Sequence, residues 1–196
     1  MLTTRQQRIK RVFDLFVSIM LFPIVIVPVI LLSVLASLST RQYGIFVQTR
    51  IGQNGQPFRL YKVRSLKGCD HDNFAEMKAS ETSFGNWIRK TKLDELPQIF
   101  NVLWGDMSWV GPRPDISGYA DVLEGEDRVI LTVRPGITGP ATLKYKNEDA
   151  LLEKQKNPQE YNDTIIWPDK VEINKLYVAQ WSLKKDISYL WASVFN

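Results

Sequence analysis

The stretch LFVSIMLFPIVIVPVILLSVLASL, from Leu15 to Leu38, contains no charged residue. As a single helix it would be about 36 Å long at 1.5 Å per residue, and the hydrocarbon core of a bilayer is about 30 Å thick. It is longer than the apolar core of a secretory signal peptide, which spans about 7–15 residues. The stretch therefore predicts a membrane segment, and the water-compatible sequence begins after Thr40.

Two prolines, Pro23 and Pro28, lie inside this segment. Each removes a backbone hydrogen bond and is expected to kink or break the helix. Both flanks are basic, with four cations before the segment and Arg41 and Arg50 after it, and positive flanks favour the cytoplasmic side. Two paths remain open from these residues alone, a kinked single-pass helix and a re-entrant helix that breaks and returns to the same side.

Composition excludes several classes of protein. The chain has 196 residues and a net charge of +4, with 44% hydrophobic and 23% charged residues, as in ordinary globular proteins. One cysteine, Cys69, excludes an internal disulfide, and with one histidine, His71, a Cys/His zinc site is not expected. The first 50 residues carry six cations and one anion, whereas the other 146 have a net charge of −1. The basic excess thus flanks the apolar segment, which favours an anionic membrane surface over nucleic acid as partner.

The sequence after Thr40 predicts a small α+β domain that is mostly helical. IFVQTRIGQNGQPFRLYKVRS predicts a hairpin that turns at residues 53–56, and Phe84 to Lys90 predicts a helix. Tyr177, Trp181, Tyr189, Trp191 and Phe195 lie in a loosely amphipathic C-terminal region. It predicts one or two helices that either pack in the core or lie at the bilayer interface. We expect two parts, residues 1–40 in the membrane and residues 41–196 as one catalytic domain.

The run TKLDELPQIFNVLWG, residues 91–105, places two carboxylates side by side. Leu96, Ile99, Phe100 and Leu103 fall on one helical face, so the spacing predicts a helix that begins near Leu93 or Asp94 and stops at Gly105. Asp94 and Glu95 then lie in its first turn, where the helix dipole favours their ionised forms. Complementing that dipole is the simplest role for such a pair.

Cations around the pair point to a second role, the binding of phosphate. Arg89, Lys90 and Lys92 precede it, and two further arginines lie in the turns GPRP and RPG, at Arg113 and Arg134. Proline and glycine form tight turns, and arginine suits bidentate phosphate contact. Each arginine alone is equally compatible with a solvated surface charge. The sequence has no P-loop, no G-x-G-x-x-G and no G-x-S-x-G motif.

Several motifs together closely resemble the bacterial sugar transferases, the monotopic phosphoglycosyl transferases. They are RVFDLF, QTRIG, FRLYKVRSL, IRKTKLDELPQIFNVLWGDMSWVGPRP and VRPGITG, in this order. The resemblance covers about Arg11 to Thr142 and resumes weakly at Tyr177 to Ile187, which is similar to the family's C-terminal Tyr…Asp segment.

The resemblance implies an enzyme that transfers a sugar-1-phosphate from a UDP-sugar to undecaprenyl phosphate, with Mg²⁺ as cofactor and UMP as product. Asp94 matches the family's nucleophile, which forms an aspartyl-phosphosugar intermediate, and Glu95 matches its neighbour, which helps to hold the metal together with Asp94. Arg113 would bind phosphate. The further candidates for contact with phosphate or nucleotide are Lys62, Arg64, Arg89 and Arg134.

The resemblance also favours the re-entrant path, because the sugar nucleotide is cytosolic. It places the protein in the bacterial inner membrane, with amphipathic interfacial helices, its catalytic domain on the cytoplasmic face and membrane lipid as a partner. The family's Ser-Pro break corresponds here to Val27-Pro28, and residues 140–170 diverge from the best-known members. The chain is similar to a minimal catalytic unit of larger relatives.

Several alternatives stay open. One is a catalytically silent membrane-anchored scaffold of the same fold, against which the intact Asp94, Glu95 and Arg113 argue. Another is direct attack by the lipid phosphate with a carboxylate as general base, from which an anionic acceptor gains little. The sugar, the glycan pathway and the oligomeric state, including a homodimer, are not specified by the sequence.

Overall fold

The computed structural model describes residues 1–68, 76 and 79–195, so Cys69 and His71 lie outside the described residues. The fold is mostly helical with short strands, as the sequence predicts. Its contacts group the chain into two compact units. The first unit comprises residues 1–14, 50–58 and 105–196, and the second comprises residues 15–49 and 59–104. The division into residues 1–40 and 41–196 concerns membrane and cytosol and stays a prediction.

Helix α1 spans Thr4–Thr40 and contains the whole apolar segment. A capping box starts it, since the Gln6 amide donates to Thr3 Oγ1 and the Thr3 amide donates to Gln6 Oε1. Within the described residues, α1 is the one helix long and apolar enough to cross a membrane. The helix continues through Pro23 and Pro28. The re-entrant path and the break at these prolines stay predictions.

The predicted hairpin is confirmed. Strands β1, Ile45–Ile51, and β2, Pro57–Val63, form a two-stranded sheet. A short 3₁₀ turn, Gln53–Gly55, connects them, with Asn54 and Gly55 at φ of 59° and 77°. Asparagine and glycine tolerate this left-handed conformation better than other residues, which is why the sequence signals the turn.

The second unit continues with two short helices. Helix α2, Ser83–Lys90, matches the helix predicted from Phe84, and the Thr82 side chain caps it by accepting from the Gly85 amide. Helix α3, Gln98–Trp104, follows after a 3₁₀ turn, Leu93–Glu95. The buried core of this unit contains aliphatic side chains from α1, β2 and α2, namely Leu32, Ala36, Val63 and Ile88.

A second, parallel sheet lies in the first unit and pairs β3, Ser108–Val110, with β4, Gly136–Thr138. It places the GPRP and RPG motifs side by side, because the Gly136 amide donates to the Pro112 carbonyl and the Gly111 amide to the Thr138 carbonyl. The two backbones lie so close that a Cβ on Gly136 would stand 2.1 Å from the Gly111 nitrogen. Glycine at this crossing is therefore a steric requirement.

The remainder of the first unit is helical. In chain order its elements are a 3₁₀ helix, Gly125–Thr132; α4, Pro140–Lys144; α5, Glu148–Leu152; α6, Pro158–Tyr161; a π-helix, Asn162–Ile166; α7, Trp167–Ala179; and α8, Leu183–Phe195. The structure has two C-terminal helices, α7 and α8, in the region where one or two were predicted. Tyr177 and Trp181 pack in a buried cluster with Val110 and Val133, so the prediction of core packing holds for this part. A position of α8 at the bilayer interface stays a prediction.

A buried ion pair joins the two ends of the sequence inside the first unit. Lys10 Nζ lies 2.6 Å from Asp186 Oδ2, and both side chains are buried. Asp186 also accepts hydrogen bonds from the Tyr177 hydroxyl, at 2.8 Å, and from Trp181 Nε1, at 2.9 Å. The carboxylate thus has a cation and two neutral donors, a degree of satisfaction that a buried charge requires.

Candidate active site

The two adjacent carboxylates lie on a short turn that the local sequence forces out of the α-helical path. Pro97 lacks an amide hydrogen, so the predicted helix is split into the 3₁₀ turn Leu93–Glu95 and helix α3. Lys92 before the turn has φ of 58°, a left-handed conformation that costs a non-glycine residue about 1–2 kcal/mol. Gly105, at φ of 97°, follows the end of α3 where the sequence predicts the stop. A strained residue two positions before a pair of carboxylates is typical of a functional site.

The buried face of α3 differs in part from the predicted one. Ile99 is buried as expected, but Asn101 and Val102 are buried more deeply than Phe100 and Leu103. The reason is a side-chain bridge to β2. Asn101 Oδ1 accepts from the Tyr61 amide at 3.2 Å, and its Nδ2 donates to the Arg59 carbonyl at 2.7 Å. A prediction from the spacing of apolar residues cannot detect such a polar contact. The bridge fixes α3 to β2, the strand that carries Lys62.

Asp94 and Glu95 are both buried, with 7% and 9% of their surfaces exposed. Asp94 Oδ1 has no hydrogen-bond partner among the described residues. Burial raises the pKa of Asp94 above its usual value, and the neighbouring charge of Glu95 raises it further, whereas Lys62, Lys92 and Arg89 oppose the rise. A carboxylate oxygen that is buried, unsatisfied and surrounded by cations is available to an incoming phosphorus or metal ion.

Lys62 is a predicted phosphate ligand that the structure places against one of the carboxylates. Its ammonium nitrogen lies 3.3 Å from Glu95 Oε1, and both side chains are largely buried. It is also the cation that most strongly favours the ionised form of Asp94. Lys62 therefore holds Glu95 and stabilises negative charge at the pair.

The other two predicted cations of this unit have additional partners. Arg89 Nε lies 3.7 Å from Glu81 Oε1, and Arg89 also lowers the pKa of Asp94. Arg64 donates to the carbonyls of Tyr43 and Gly68 and lies over the Phe46 ring. These contacts give Arg64 a role in bracing the chain before β1. Contact of Arg89 and Arg64 with phosphate stays a prediction.

The carboxylate pair fits the donor set of Mg²⁺. Mg²⁺ takes one or two protein carboxylates and completes its octahedron with phosphate oxygens and water. Asp94 Oδ1 is an unsatisfied buried oxygen, and Glu95 is the next residue in the chain. No group of three or more His, Cys, Asp or Glu residues that could hold a metal occurs among the described residues. The pair suits a metal that is bound jointly with a phosphorylated substrate.

The predicted phosphate ligands Arg113 and Arg134 lie in the first unit. Arg113 lines a cavity of about 20 Å³ together with Asp115 and Asn174, and the Asn174 Oδ1 atom is buried without a partner in the described part of the chain. Burial raises the pKa of Asp115 to about 6, against the opposing charges of Lys170, Arg50 and Arg113. Arg134 Nε donates to the Gly105 carbonyl at 2.7 Å. Phosphate contact by Arg113 and Arg134 stays a prediction.

Comparison of the sequence with known proteins shows the family of this chain. The family model described as "Bacterial sugar transferase" matches residues 5–196. The chain belongs to the bacterial sugar transferase family. The membership that the motifs around LDELPQ and GPRP suggest is thereby confirmed.

Three relatives illustrate the similarity of this family member to known proteins. The UDP-glucose:undecaprenyl-phosphate glucose-1-phosphate transferase of Escherichia coli K12 is 34% identical over 96% of this chain and 40% of its own length. The UDP-N-acetylgalactosamine-undecaprenyl-phosphate N-acetylgalactosaminephosphotransferase of Aeromonas hydrophila is 31% identical over 95% and 43%. A sugar transferase of Bacillus subtilis strain 168, EpsL, is 33% identical over 95% and 85%. The chain thus spans less than half of the first two relatives and most of the third.

Some residues of this sugar transferase were missed from the sequence. Lys10 and Asp14 lie four residues apart directly before the apolar segment. Their position beside that segment is the signal that could have identified them as charged residues with buried partners. Asp14 Oδ1 accepts from the Ser108 hydroxyl at 2.9 Å and from the Trp109 amide at 3.1 Å. Asp115 follows the GPRP motif without any local signal of burial.

Replacing Lys62 by methionine is expected to shift the pH dependence of this transferase. The Lys62 charge lowers the pKa of Asp94, so its removal raises that pKa. The resemblance to the family implies that Asp94 attacks as an ionised carboxylate, so the acid limb of kcat/KM should move to higher pH. Activity at neutral pH should fall about tenfold to a hundredfold, as for other residues that orient ligating side chains.

Lys62→Arg is the matched variant, since it keeps the positive charge and is expected to keep the acid limb near that of the wild type. Rates for both variants are measured between acid and neutral pH with the donor well below its KM, so that they report kcat/KM. An acid limb that does not move in Lys62→Met contradicts the electrostatic role.

Proposed function

We propose that this chain transfers a sugar-1-phosphate from a UDP-sugar to undecaprenyl phosphate, with release of UMP. The observation that carries the proposal is the buried Asp94–Glu95 pair, with the unsatisfied oxygen of Asp94 among cations. The names of the E. coli and Aeromonas relatives, both undecaprenyl-phosphate sugar phosphotransferases, support the same reaction. The product would begin a bacterial surface glycan.

In the first step the Asp94 carboxylate attacks the phosphorus that bears the sugar. A bond forms between Asp94 oxygen and this phosphorus, and the bond from the phosphorus to the bridging oxygen of the diphosphate breaks. The electron pair leaves with that oxygen as UMP, and an acyl phosphate that carries the sugar remains on Asp94. Carboxylates form such covalent phosphoryl intermediates in other enzymes. Burial supports this step, because it removes the water that would shield or hydrolyse the acyl phosphate.

In the second step a phosphate oxygen of undecaprenyl phosphate attacks the same phosphorus. The Asp94–phosphorus bond breaks, the carboxylate is restored, and the product is a lipid diphosphate that carries the sugar. The acceptor is already an anion, so it needs no general base. This chemistry assigns Glu95 to holding a metal rather than to removing a proton.

Electrostatics determine whether the first step is feasible, because a carboxylate and a diphosphate repel each other. Lys62 lies against Glu95, and Arg89 and Lys92 favour the ionised form of Asp94. Preorganised cations of this kind stabilise charge that develops on phosphoryl oxygens. Mg²⁺, when bound by Asp94 and Glu95, would neutralise diphosphate charge and orient the leaving group.

The proposed setting is the cytoplasmic face of the inner membrane, with α1 re-entrant and the C-terminal helices at the interface. The long apolar helix and its basic flanks support a membrane position. In inside-out vesicles, a protease site inserted after Thr3 should be cut from the same side as a site at Asn157. Cleavage of the Thr3 site only from the opposite side would refute the re-entrant path.

The experiment that tests the reaction is UMP release by purified protein in lipid discs, with Mg²⁺, undecaprenyl phosphate and a panel of UDP-sugars. Release from one sugar by the wild type, and none by Asp94→Ala, is the expected result. Glu172→Gln serves as the matched control, because Glu172 is an exposed acid on α7. Tight Mg²⁺-dependent binding of a UDP-sugar without any turnover would instead favour the scaffold.

A further inference from the structure

Four aromatic side chains of the second unit contact one another in a continuous series that we call the aromatic strip: Phe22, Phe100, Trp104 and Tyr61. The Phe22 and Phe100 rings meet edge to face at 5.8 Å between centroids, and the Phe100 and Trp104 rings lie 5.8 Å apart. Trp104 and Tyr61 meet at 5.5 Å with an interplanar angle of 71°. Packing of the unit explains why these rings touch. It does not explain why 63% of the Trp104 surface is exposed to solvent.

One end of the aromatic strip lies within the membrane segment. Phe22 belongs to the charge-free stretch of α1, and its neighbours Ile19, Met20 and Ile24 are all exposed. The surface at this end therefore continues into apolar surface that suits lipid.

The two elements that carry the other rings of the aromatic strip, β2 and α3, also adjoin the proposed catalytic carboxylates. Tyr61 precedes Lys62 on β2, with its side chain on the opposite face of the strand, and the Lys62 ammonium nitrogen is 3.3 Å from Glu95 Oε1. Phe100 and Trp104 are on α3, which begins three residues after Glu95, and the Asn101 bridge fixes α3 to β2. Cations near Asp94, among them Arg89 and Lys92, suit an anionic head group at the carboxylates.

We propose that the aromatic strip binds the isoprenoid chain of the acceptor, in the units nearest its phosphate. The inference rests on the proposed function and deepens it by assigning a binding surface to the lipid substrate. An amphiphile with one phosphate and a long apolar chain matches a unit that holds cations around Asp94 and, on the same elements, aromatic rings that reach the membrane segment. The exposed Trp104 ring and its half-buried aromatic neighbours offer such a chain contact area at little conformational cost, and dispersion contacts add along its length.

The test compares Trp104→Leu with the wild type in lipid discs. The KM for undecaprenyl phosphate should rise about threefold to tenfold, as expected for the loss of one aromatic contact. The burst of UMP released without acceptor should keep its rate and amplitude, because the acceptor takes no part in that step. Trp104→Phe keeps a ring and should restore most of the affinity.

Trp87→Leu is the matched control, since Trp87 is also exposed, at 51%, in the same unit but outside the aromatic strip. It should leave the KM for the acceptor unchanged, and both variants should partition into vesicles like the wild type. An unchanged KM in Trp104→Leu would overturn the proposal. An equal rise in both variants together with weaker vesicle partitioning would also overturn it, because Trp104 would then only anchor the protein at the interface.

A binding measurement separates failure of this inference from failure of the proposed reaction. Native mass spectrometry with undecaprenyl phosphate and with hexadecyl phosphate requires no turnover. The wild type should bind the isoprenoid phosphate more tightly, and Trp104→Leu should lose that preference. A preference that is absent in the wild type, or unchanged in Trp104→Leu, overturns the aromatic strip as its site. Absence of UMP release from any donor refutes only the reaction.

Discussion

Replacing Asp94 by asparagine is expected to abolish sugar-phosphate transfer, with a fall in kcat of about a thousandfold or more. Asparagine fills nearly the same volume and keeps one carbonyl oxygen, but it lacks the negative charge and the nucleophilic oxygen. The orphaned Oδ1 of Asp94 forms no hydrogen bond among the described residues, so its loss removes no internal contact. A fold-neutral, catalytically dead variant is therefore expected.

A trapping experiment measures this directly. Wild-type protein is incubated with a UDP-sugar carrying a radiolabelled sugar, without acceptor, and label bound to the peptide that contains Asp94 is quantified. Label should accumulate on the wild type and not on Asp94→Asn, while thermal unfolding of the two proteins coincides. Turnover by Asp94→Asn at the wild-type rate would refute the assignment of the nucleophile.

Replacing Asp186 by alanine is expected to give the largest loss of stability. Lys10 Nζ lies 2.6 Å from Asp186 Oδ2, and Asp186 is fully buried. Removing the carboxylate leaves a buried ammonium without its counterion, which costs about 3–5 kcal/mol. In a chain of this size the midpoint of thermal unfolding should fall by about 6–20 °C.

Two further variants separate charge from packing. The double variant Lys10→Met/Asp186→Leu removes both charges and should recover much of the loss, because the costly species is the unpaired ion. Glu172→Gln removes the exposed one of two acidic partners of the half-buried Lys175, which also contacts Asp127, and it should leave the midpoint nearly unchanged. A midpoint of Asp186→Ala within a degree of the wild type would contradict the role of the pair.

Local features of the fold could be predicted from the sequence. The hairpin turn follows from Asn54 and Gly55, which tolerate positive φ, and the end of α3 follows from Gly105. The acidic pair could be located because its two members are neighbours in the chain. Each of these signals depends on a few consecutive residues, so chain topology does not alter it.

Contacts between distant segments could not be predicted in the same way. The pairing of β3 with β4 joins short strands whose flanking motifs resemble ordinary turns. The Asn101 bridge links residues about 40 positions apart through a polar side chain on a helix whose apolar pattern points elsewhere. Lys62 was predicted as a phosphate ligand, but its contact with Glu95 depends on how β2 lies against α3.

The buried ion pair also affects the order of events during synthesis. Lys10 and Asp186 are separated by 176 positions, and ribosomes add about 5–20 residues per second. The Lys10 ammonium is therefore made about 9–35 s before its partner. Residues 1–14 belong to the same compact unit as residues 105–196. That unit can be completed only after Asp186 has been made, so a nascent chain that stalls before Asp186 carries an unneutralised cation at the start of its long apolar helix.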